Sequence, residues 1–240
     1  MRHPPVSGGG TAAGDAASTR QLYIAKGVAL AGIAADYPLF FDDFERSGGS
    51  IATLWSQSPA GSGGVTGGQA INGSGGGLVR IATGATASSF LLLNGNSGLI
   101  SNVATSRWYV AGRLKINTTP DAQTTLGLGL VDNGSAGTIM AGFHGALNPG
   151  VFSVQYNGVY TGSSFSLVAA NDNAYHVFEI WCSGDSKLWG RIDGGTSLGN
   201  VTITTIPAAP SYPQVHIRNQ GTAANQSADV DWVIGLFSRI

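Results

Sequence analysis

The sequence predicts an all-β protein, an antiparallel β-sandwich of the jelly-roll type, preceded by an extended N-terminal arm. Three observations lead to this prediction. After residue 38, β-branched and aromatic residues alternate with polar ones in short runs. Turn residues rich in Gly, Asn and Asp separate the runs, which recur about every eight to twelve residues, as in sandwiches. No helical hydrophobic period is found beyond residue 36.

The composition excludes several classes of protein. The 240 residues include 12 Lys+Arg and 13 Asp+Glu, a net charge of −1, so there is no basic surface for nucleic acid or for an anionic membrane. The 37 glycines follow no every-third-residue repeat, which excludes a collagen. The single cysteine, Cys182, excludes a disulfide scaffold, and a hydrophobic content of 42% excludes a disordered chain.

Residues 1–37 predict an arm that is separate from the sandwich domain of residues 38–240. The arm is rich in Gly, Ala, Pro and Ser, so it cannot offset its own ordering entropy. Its one helix candidate, residues 21–35, is weakened by Gly27 and Gly32. The apolar run at 27–35 is less than half of the ~20 residues of a membrane span, so we predict no transmembrane helix and no signal peptide. Either the arm packs on its own domain, or neighbouring subunits of an assembly order it.

Strands are predicted one after another along the sandwich domain. Glycine-containing turns such as Asn157-Gly158 and Asp193-Gly194-Gly195 accept the positive φ of tight hairpins. The glycine-rich residues 61–77 predict either a long loop or flat strands with small side chains that let another backbone approach. The strand runs lie at residues 107–117, 124–131, 151–156, 175–182, 187–193, 201–206, 214–218 and 230–238.

Three segments resemble the concanavalin A-like lectin/glucanase sandwich. Residues 41–45 (FDDFE), followed by Trp55, look like the opening strand of laminarinase-like and related sugar-binding domains. Residues 175–181 (YHVFEIW) and 187–194 (KLWGRIDG) look like the paired strands of that family, which end in an Asp-Gly turn. Residues 228–233 (ADVDWV) look like its closing strand. The resemblance covers residues 39–240 and implies the concanavalin A-like fold, a sandwich that also occurs in bacteriophage fibre, decoration and tail proteins.

The residues offer no catalytic set, so we predict that the chain is not an enzyme. A retaining glycosidase needs two carboxylates close together, whereas the two glutamates, Glu45 and Glu179, are far apart. Glu179 has no acidic partner two or four residues away, and we expect it to face solvent. Cys182 is expected to be a small core residue. The histidines, His144 and His216 among them, have no zinc-ligand spacing.

Two groups of residues are candidates for binding. Tyr156, Tyr160 and Tyr212 lie at turn-rich edges and could stack on sugar rings, whereas the tryptophans sit in alternating strands and are expected in the core. Asp43 and Asp231 are candidate ligands of a structural calcium ion, because some members of the resembled family bind calcium where the first and last strands meet. Turn capping and surface charge are the alternative for these aspartates, and no other cofactor is predicted.

The predicted function is that of a non-enzymatic structural or adhesive protein of a virus particle, most simply a bacteriophage fibre, decoration or tail-associated protein. The arm would dock on other virion proteins, and the sandwich would contact neighbours or a host-surface glycan. Low charge suits permanent subunit contacts, so a homo-oligomer such as a trimer is expected. The expected location is the virion, with no nucleic-acid partner and no membrane span. The alternative is a carbohydrate-binding module or lectin without a viral role.

Overall fold

The computed structural model describes residues 12–33, 39–44, 54–60, 71–72, 78–83, 90–95, 102–117, 124–132, 140–145, 151–156, 159–160, 165–166, 174–197, 199–203, 211–219 and 226–238. In these ranges the chain forms one helix and sixteen strands, which pair only in antiparallel fashion in two sheets. The predicted all-β antiparallel sandwich is confirmed. The elements are α1 Ala12–Ala31, β1 Leu39–Asp42, β2 Trp55–Ala60, β3 Ile71–Asn72, β4 Val79–Ala82, β5 Phe90–Gly95, β6 Arg107–Ile116, β7 Thr124–Asp132, β8 Met140–Gly145, β9 Val151–Tyr156, β10 Val159–Tyr160, β11 Phe165–Ser166, β12 His176–Ser183, β13 Lys187–Ile192, β14 Asn200–Thr202, β15 Ser211–Asn219 and β16 Ser227–Phe237.

The first sheet, sheet A, joins the two ends of the sandwich domain. Its order is β14-β13-β12-β6-β16-β4-β3, and β1 pairs with the C-terminal half of β16 beside β4. The register of β16 against β6 shifts between Val230 and Trp232, which is a bulge at Asp231. Because of the bulge, Val230 before it and Val233 after it both face the core, although they are three positions apart.

The second sheet, sheet B, has the order β10-β9-β8-β7-β15-β5-β2, and β11 pairs with β9. Alternate residues of its central strands, such as Leu128 on β7 and Val215 on β15, are buried in the core between the sheets. The residues between them therefore belong to the outer face of sheet B.

The core between the sheets is built from the inward residues of both. Trp108 on β6 and Trp55 on β2 are fully buried there, as the alternation predicts. Cys182 on β12 is also fully buried, so its predicted role as a small core residue is confirmed. Burial raises the pKa of its thiol, which keeps the thiol protonated and unreactive.

Helix α1 covers the outer face of sheet A and forms a second apolar cluster there. Tyr23, Gly27 and Ala31 are spaced four residues apart and are buried, so they form the face of the helix that packs on the sheet. They lie over aromatic and aliphatic side chains of three strands: Tyr109, Trp181, Trp232, Ile234 and Leu236. Trp181 and Trp232 are thus buried, as expected for tryptophans, but beneath the helix rather than between the sheets.

The part of the arm that the structure describes is therefore helical and packs on its own sandwich. The helix starts before the predicted candidate at 21–35 and ends at Ala31, where Gly32 adopts a φ of 64° and Arg107 Nη1 donates to Gly32 O at 2.7 Å. Packing against sheet A outweighs the low helix propensity of glycine. No helix in the described residues has the apolar length of a membrane span. The division of the chain at residue 37 stays a prediction.

Candidate functional site

A row of polar residues and glycines crosses the outer face of sheet B. Residues that are directly opposite in an antiparallel sheet share a face, so the register defines the row without reference to any loop. Adjacent strands lie ~4.8 Å apart, which makes the row about 29 Å long over seven strands. This polar row consists of Ser56, Asn94, Gln214, Gly129, Gly142, Gln155 and Tyr160.

A second row lies beside the polar row, offset from it by two residues on each of six strands, after its member on one strand and before its member on the next. It contains His216 on β15 and His144 on β8, each of which pairs with Gly127 on the strand between them. We call it the histidine row, and its members are Ser58, Leu92, His216, Gly127, His144 and Ser153. The two histidine positions are two strand spacings, roughly 10 Å, apart.

Three glycines meet where the two rows cross β7 and β8. Gly127 and Gly129 lie on β7, and Gly142 pairs with Gly129 from β8. Glycine in the interior of a strand marks a place where a ligand or another backbone can approach closely. Gln214, which pairs with Gly129, is 0% exposed although it lies on the outer face, and both β7 glycines are buried. The centre of this face is therefore covered in the structure rather than open to solvent.

The three candidate tyrosines do not all lie on this face. Tyr160 pairs with Gln155 and ends the polar row, and the half-buried Tyr212 lies on the same face two positions before Gln214. Tyr156 follows Gln155 on β9, so it belongs to the opposite face. The ligand-binding role of the three tyrosines stays a prediction.

Residues of the rows that sequence reasoning missed are Asn94, Gln214 and the two histidines. The available signal is the alternation in residues 214–218 (QVHIR), where Val215 and Ile217 are core residues and Gln214 and His216 fall on the other face. The sequence cannot indicate which residues of β7 and β8 stand opposite them, because that depends on the pairing of distant strands.

The outer face of sheet A carries a second polar group, which lies partly beneath α1. Glu179 is fully buried, and its carboxylate accepts hydrogen bonds from Arg191 Nε at 2.8 Å, from Arg191 Nη2 at 2.9 Å and from the Tyr109 hydroxyl at 2.7 Å. Burial, and then the charge of Glu179, raise the pKa of Tyr109. The expectation that Glu179 faces solvent is wrong, because the helix covers the outward side of this sheet.

The helix contributes Tyr23 to this polar group. The Tyr23 ring lies 4.5 Å from the ring of Trp232, and Lys26 Nζ lies 4.3 Å from the centre of the Tyr23 ring. Burial, and then the charge of Glu179, raise the pKa of the Tyr23 hydroxyl. The buried ion pair between Glu179 and Arg191 thus belongs to the contact between helix and sheet, which is a structural role.

Two aspartates near the start and the end of the sandwich have protein partners. Asp42 accepts hydrogen bonds from Phe44 N at 3.0 Å and from Trp55 Nε1 at 2.6 Å, and Asp231 forms an ion pair with Arg113. No group of three or more His, Cys, Asp or Glu side chains that could hold a metal ion is found in the described part of the chain. Calcium binding by Asp43 and Asp231 stays a prediction.

Comparison with known proteins gives structural matches only. No protein-family model matches the chain, and no curated protein matches it. A protein of unknown function from Shewanella oneidensis MR-1 is 15% identical, with a TM-score of 0.58 over 99% of this chain and 96% of that chain. The conserved carbohydrate esterase of the Shiga toxin-encoding bacteriophage phi24B is 18% identical, with a TM-score of 0.53 over 85% and 100%. The endo-1,3-beta-glucanase of Streptomyces sioyaensis is 12% identical, with a TM-score of 0.56 over 86% and 98%.

These likenesses show the fold, a β-sandwich consistent with the concanavalin-like resemblance, and they correct one prediction. The prediction that the chain is not an enzyme is wrong, because two of the three compared structures are named as enzymes, an esterase and a glucanase. That prediction rests on the lack of neighbouring carboxylates in the sequence, which does not exclude enzymatic activity. The register of sheet B places His144 and His216 on either side of Gly127, which spacing along the chain cannot reveal.

Proposed function

We propose that this chain is a carbohydrate-binding β-sandwich protein whose ligand site lies along the polar row. The polar row is the observation that carries the proposal. Its amide residues Asn94 and Gln155 are of a type that carries both a hydrogen-bond donor and an acceptor, as sugar hydroxyls require. Tyr160 at the end of the row provides an aromatic ring for stacking.

The shape of the face supports a chain-like ligand. The polar row extends about 29 Å across the sheet, which suits an oligosaccharide better than a single sugar. The compared carbohydrate esterase and endo-1,3-beta-glucanase add support, because their names state that proteins with this fold act on carbohydrates.

The test is binding to a glycan array, followed by calorimetry on the glycans that bind. Tyr212→Ala and Asn94→Ala change the face of the polar row, and Tyr175→Ala changes a half-buried tyrosine next to sheet A as the matched control. We expect at least tenfold weaker binding for the first two variants and unchanged binding for the control. A folded wild-type protein that binds no glycan, or an equal loss in the Tyr175→Ala variant, contradicts the proposal.

We propose further that the protein belongs to a bacteriophage particle as an adhesive component. Its support is that a bacteriophage protein shares the fold over that protein's whole length. Leu22, on the side of α1 that faces away from sheet A, is 53% exposed, and Ala25 and Ala29 beside it are also exposed. This apolar strip fits contact with another virion protein. In this arrangement sheet B faces the host-surface glycan, and the protein forms a homo-oligomer such as a trimer.

This location can be tested on purified particles of a phage that encodes the protein. We expect mass spectrometry to detect the chain in the wild-type particles. We expect the Leu22→Asp variant to be lost from the particles, although the isolated variant keeps its thermal midpoint of unfolding. Light scattering after size exclusion gives the subunit number. Absence of the chain from infectious particles contradicts the viral role and leaves the carbohydrate-binding proposal untouched.

A further inference from the structure

We infer that the outward side of α1 and the adjoining part of sheet A form a docking surface for an acidic segment of another protein. The inference rests on the proposed contact of α1 with a virion protein and adds the chemistry of that partner. Four cationic side chains carry it, each of them beside an aromatic ring. We call them the cation band, and they are Arg20, Lys26, Arg113 and Lys115.

Two members of the cation band belong to α1. Lys26 Nζ lies 4.3 Å from the centre of the Tyr23 ring, and Arg20 Cζ lies 5.7 Å from that of Phe41 on β1. Such contacts hold long cationic side chains near fixed positions on a surface. The chain contains no Asp or Glu from residue 16 to residue 35, so neither cation has an acidic neighbour one helical turn away.

The other two members lie on β6, beside the helix. Arg113 Cζ and Lys115 Nζ lie 4.5 Å and 5.7 Å from the centre of the half-buried Tyr175 ring. Arg113 pairs in the sheet with Trp232, whose ring lies 4.5 Å from that of Tyr23 on the helix. The cations of the sheet therefore adjoin those of the helix.

The cation band has more positive charge than its own carboxylates neutralise. Arg113 forms an ion pair with Asp231, and the Arg113 side chain is still 41% exposed. Arg20, Lys26 and Lys115 form no ion pair within the described residues, and none of the three is buried. Four cations with one carboxylate leave an excess of three positive charges, although the whole chain has a net charge of −1. A partner rich in carboxylates complements this excess.

Two further carboxylates of this face are matched by arginines outside the cation band. Asp229, which pairs with Lys115 in the sheet, accepts hydrogen bonds from Arg80 Nε at 2.7 Å and from Arg80 Nη2 at 3.0 Å. Glu179 is held in the same way by Arg191. Both ion pairs are neutral overall, so the excess of the band remains.

The apolar strip on α1 favours a protein segment over a nucleic acid as the partner. Lys26 follows Leu22 by four residues, so a cation and the apolar strip are neighbours on the helix surface. An apolar side chain of a protein fits the strip, whereas a phosphate backbone does not. Nucleic-acid binding proteins can make about 6–10 phosphate contacts, which an excess of three charges does not supply. The partner segment is therefore expected to carry acidic residues beside an apolar one.

The experiment uses the three lysines of the chain, of which Lys26 and Lys115 belong to the cation band and Lys187 does not. Purified particles of the phage are treated with a water-soluble carbodiimide, which joins a lysine amine to a carboxylate in contact with it. Mass spectrometry then identifies the joined peptides. We expect Lys26 and Lys115 to be joined to Asp or Glu of one other particle protein. We expect Lys187, at an exposed position of β13, to be joined to no other protein.

Variants give a second measurement on the same particles. The double variant Lys26→Gln/Lys115→Gln should be retained at least fivefold less than wild type, because it removes two of the excess charges. Lys26→Arg/Lys115→Arg keeps both charges and should be retained like wild type, as should Lys187→Gln. Thermal midpoints of the isolated chains identify a variant that fails to fold, and the single Gln variants then take its place.

Wild-type particles that contain the chain but lack joined peptides at both band lysines, or that retain the double Gln variant fully, overturn this inference and leave the viral role standing. Joined peptides between two copies of this chain also overturn it, because the surface then belongs to a contact between copies. Binding of the isolated chain to a thymidine oligonucleotide, if the double Gln variant loses it, overturns the choice of a protein partner. Absence of the chain from the particles removes the viral role and this inference together.

Discussion

Glu179 is buried, although the alternation of residues around it in the sequence predicts that it faces solvent. It alternates with apolar residues on β12, yet it is fully buried between the strand and α1 and is held by Arg191 and Tyr109. Removal of one charge from such a buried pair leaves the other without compensation, which costs about 3–5 kcal/mol.

We therefore expect Glu179→Gln to lower the free energy of unfolding by about 3 kcal/mol in urea titrations. The double variant Glu179→Gln/Arg191→Gln should lose less than the sum of the two single losses, because it leaves no unpaired charge. A loss below 1 kcal/mol in the single variant would show that the pair is not buried as described.

Gly27 is the position where α1 approaches sheet A most closely. A Cβ at this position would lie 2.8 Å from Tyr109 Cδ1 and still closer to Leu236 Cδ1, in the middle of the contact. On an exposed helix, glycine to alanine is stabilising by about 1 kcal/mol. Here we expect Gly27→Ala to destabilise the protein by about 1–3 kcal/mol, because overpacking outweighs propensity. The control Ala29→Ser, at an exposed helix position, should change the unfolding free energy by less than about 0.5 kcal/mol.

Arg80 and Asp229 give the molecule a pH-dependent contribution to stability. Burial alone raises the pKa of Asp229, but the two hydrogen bonds and the charge of Arg80 outweigh it and hold this pKa below its ordinary value. Such a carboxylate stabilises the fold above its unfolded pKa of about 3.9, and the contribution is lost as the pH falls through the lower folded value.

Arg80→Met should therefore lower the thermal midpoint at pH 5–8, and the difference from wild type should vanish as the pH approaches about 2. The effect should be small, because the Arg80 side chain is 50% exposed and solvent screens the pair. Lys187→Met, at an exposed position of β13, serves as the control. A difference that is the same at every pH would contradict this assignment.

At the scale of elements, local pattern predicts strands well where alternation is strong. The predicted run at 151–156 coincides with β9, and the run at 107–117 coincides with β6 to within one residue. The strands β5 (FLLLNG) and β8 (MAGFHG) were not predicted, because the first lacks alternation and the second is rich in small residues. They form because neighbouring strands offer them hydrogen-bond partners.

Helix α1 is the element that the sequence predicts least well, and its role is to cover sheet A. A chain that begins at residue 34 would expose Trp181, Trp232 and Ile234, which the helix now buries. We expect this shortened chain to self-associate in light scattering and to unfold at a lower temperature, since apolar surface of this kind drives association. The full chain with Leu22→Asp, a change on the exposed side of α1, should remain stable. A monomeric, equally stable shortened chain would contradict the covering role.

At the scale of the molecule, the last strand completes sheet A. β16 lies between β6 on one side and β4 with β1 on the other, and it places Val230, Val233 and Phe237 in the core. Its pairing with β1 joins distant parts of the chain, so folding should be slow, in the range of milliseconds to seconds.

A chain that ends at residue 225 should therefore fail to fold, with no cooperative unfolding transition and no near-ultraviolet circular dichroism. A chain that ends at residue 238 keeps the whole of β16 and should match the full chain. Cooperative unfolding of the chain that lacks β16 would contradict the central place of this strand.

The sequence by itself determined the class of the fold, the strands with strong alternation and their turns, and the core position of Trp55, Trp108 and Cys182. These properties follow from local physics, namely the two-residue alternation of a strand and the backbone freedom of glycine at turns such as Asp193-Gly194, where both residues have positive φ. The tertiary structure alone decided which residues face each other. It placed His144 opposite Gly127 and Gly127 opposite His216, and it laid α1 over Glu179. Strand register and helix docking depend on contacts between distant parts of the chain, so no local pattern contains them.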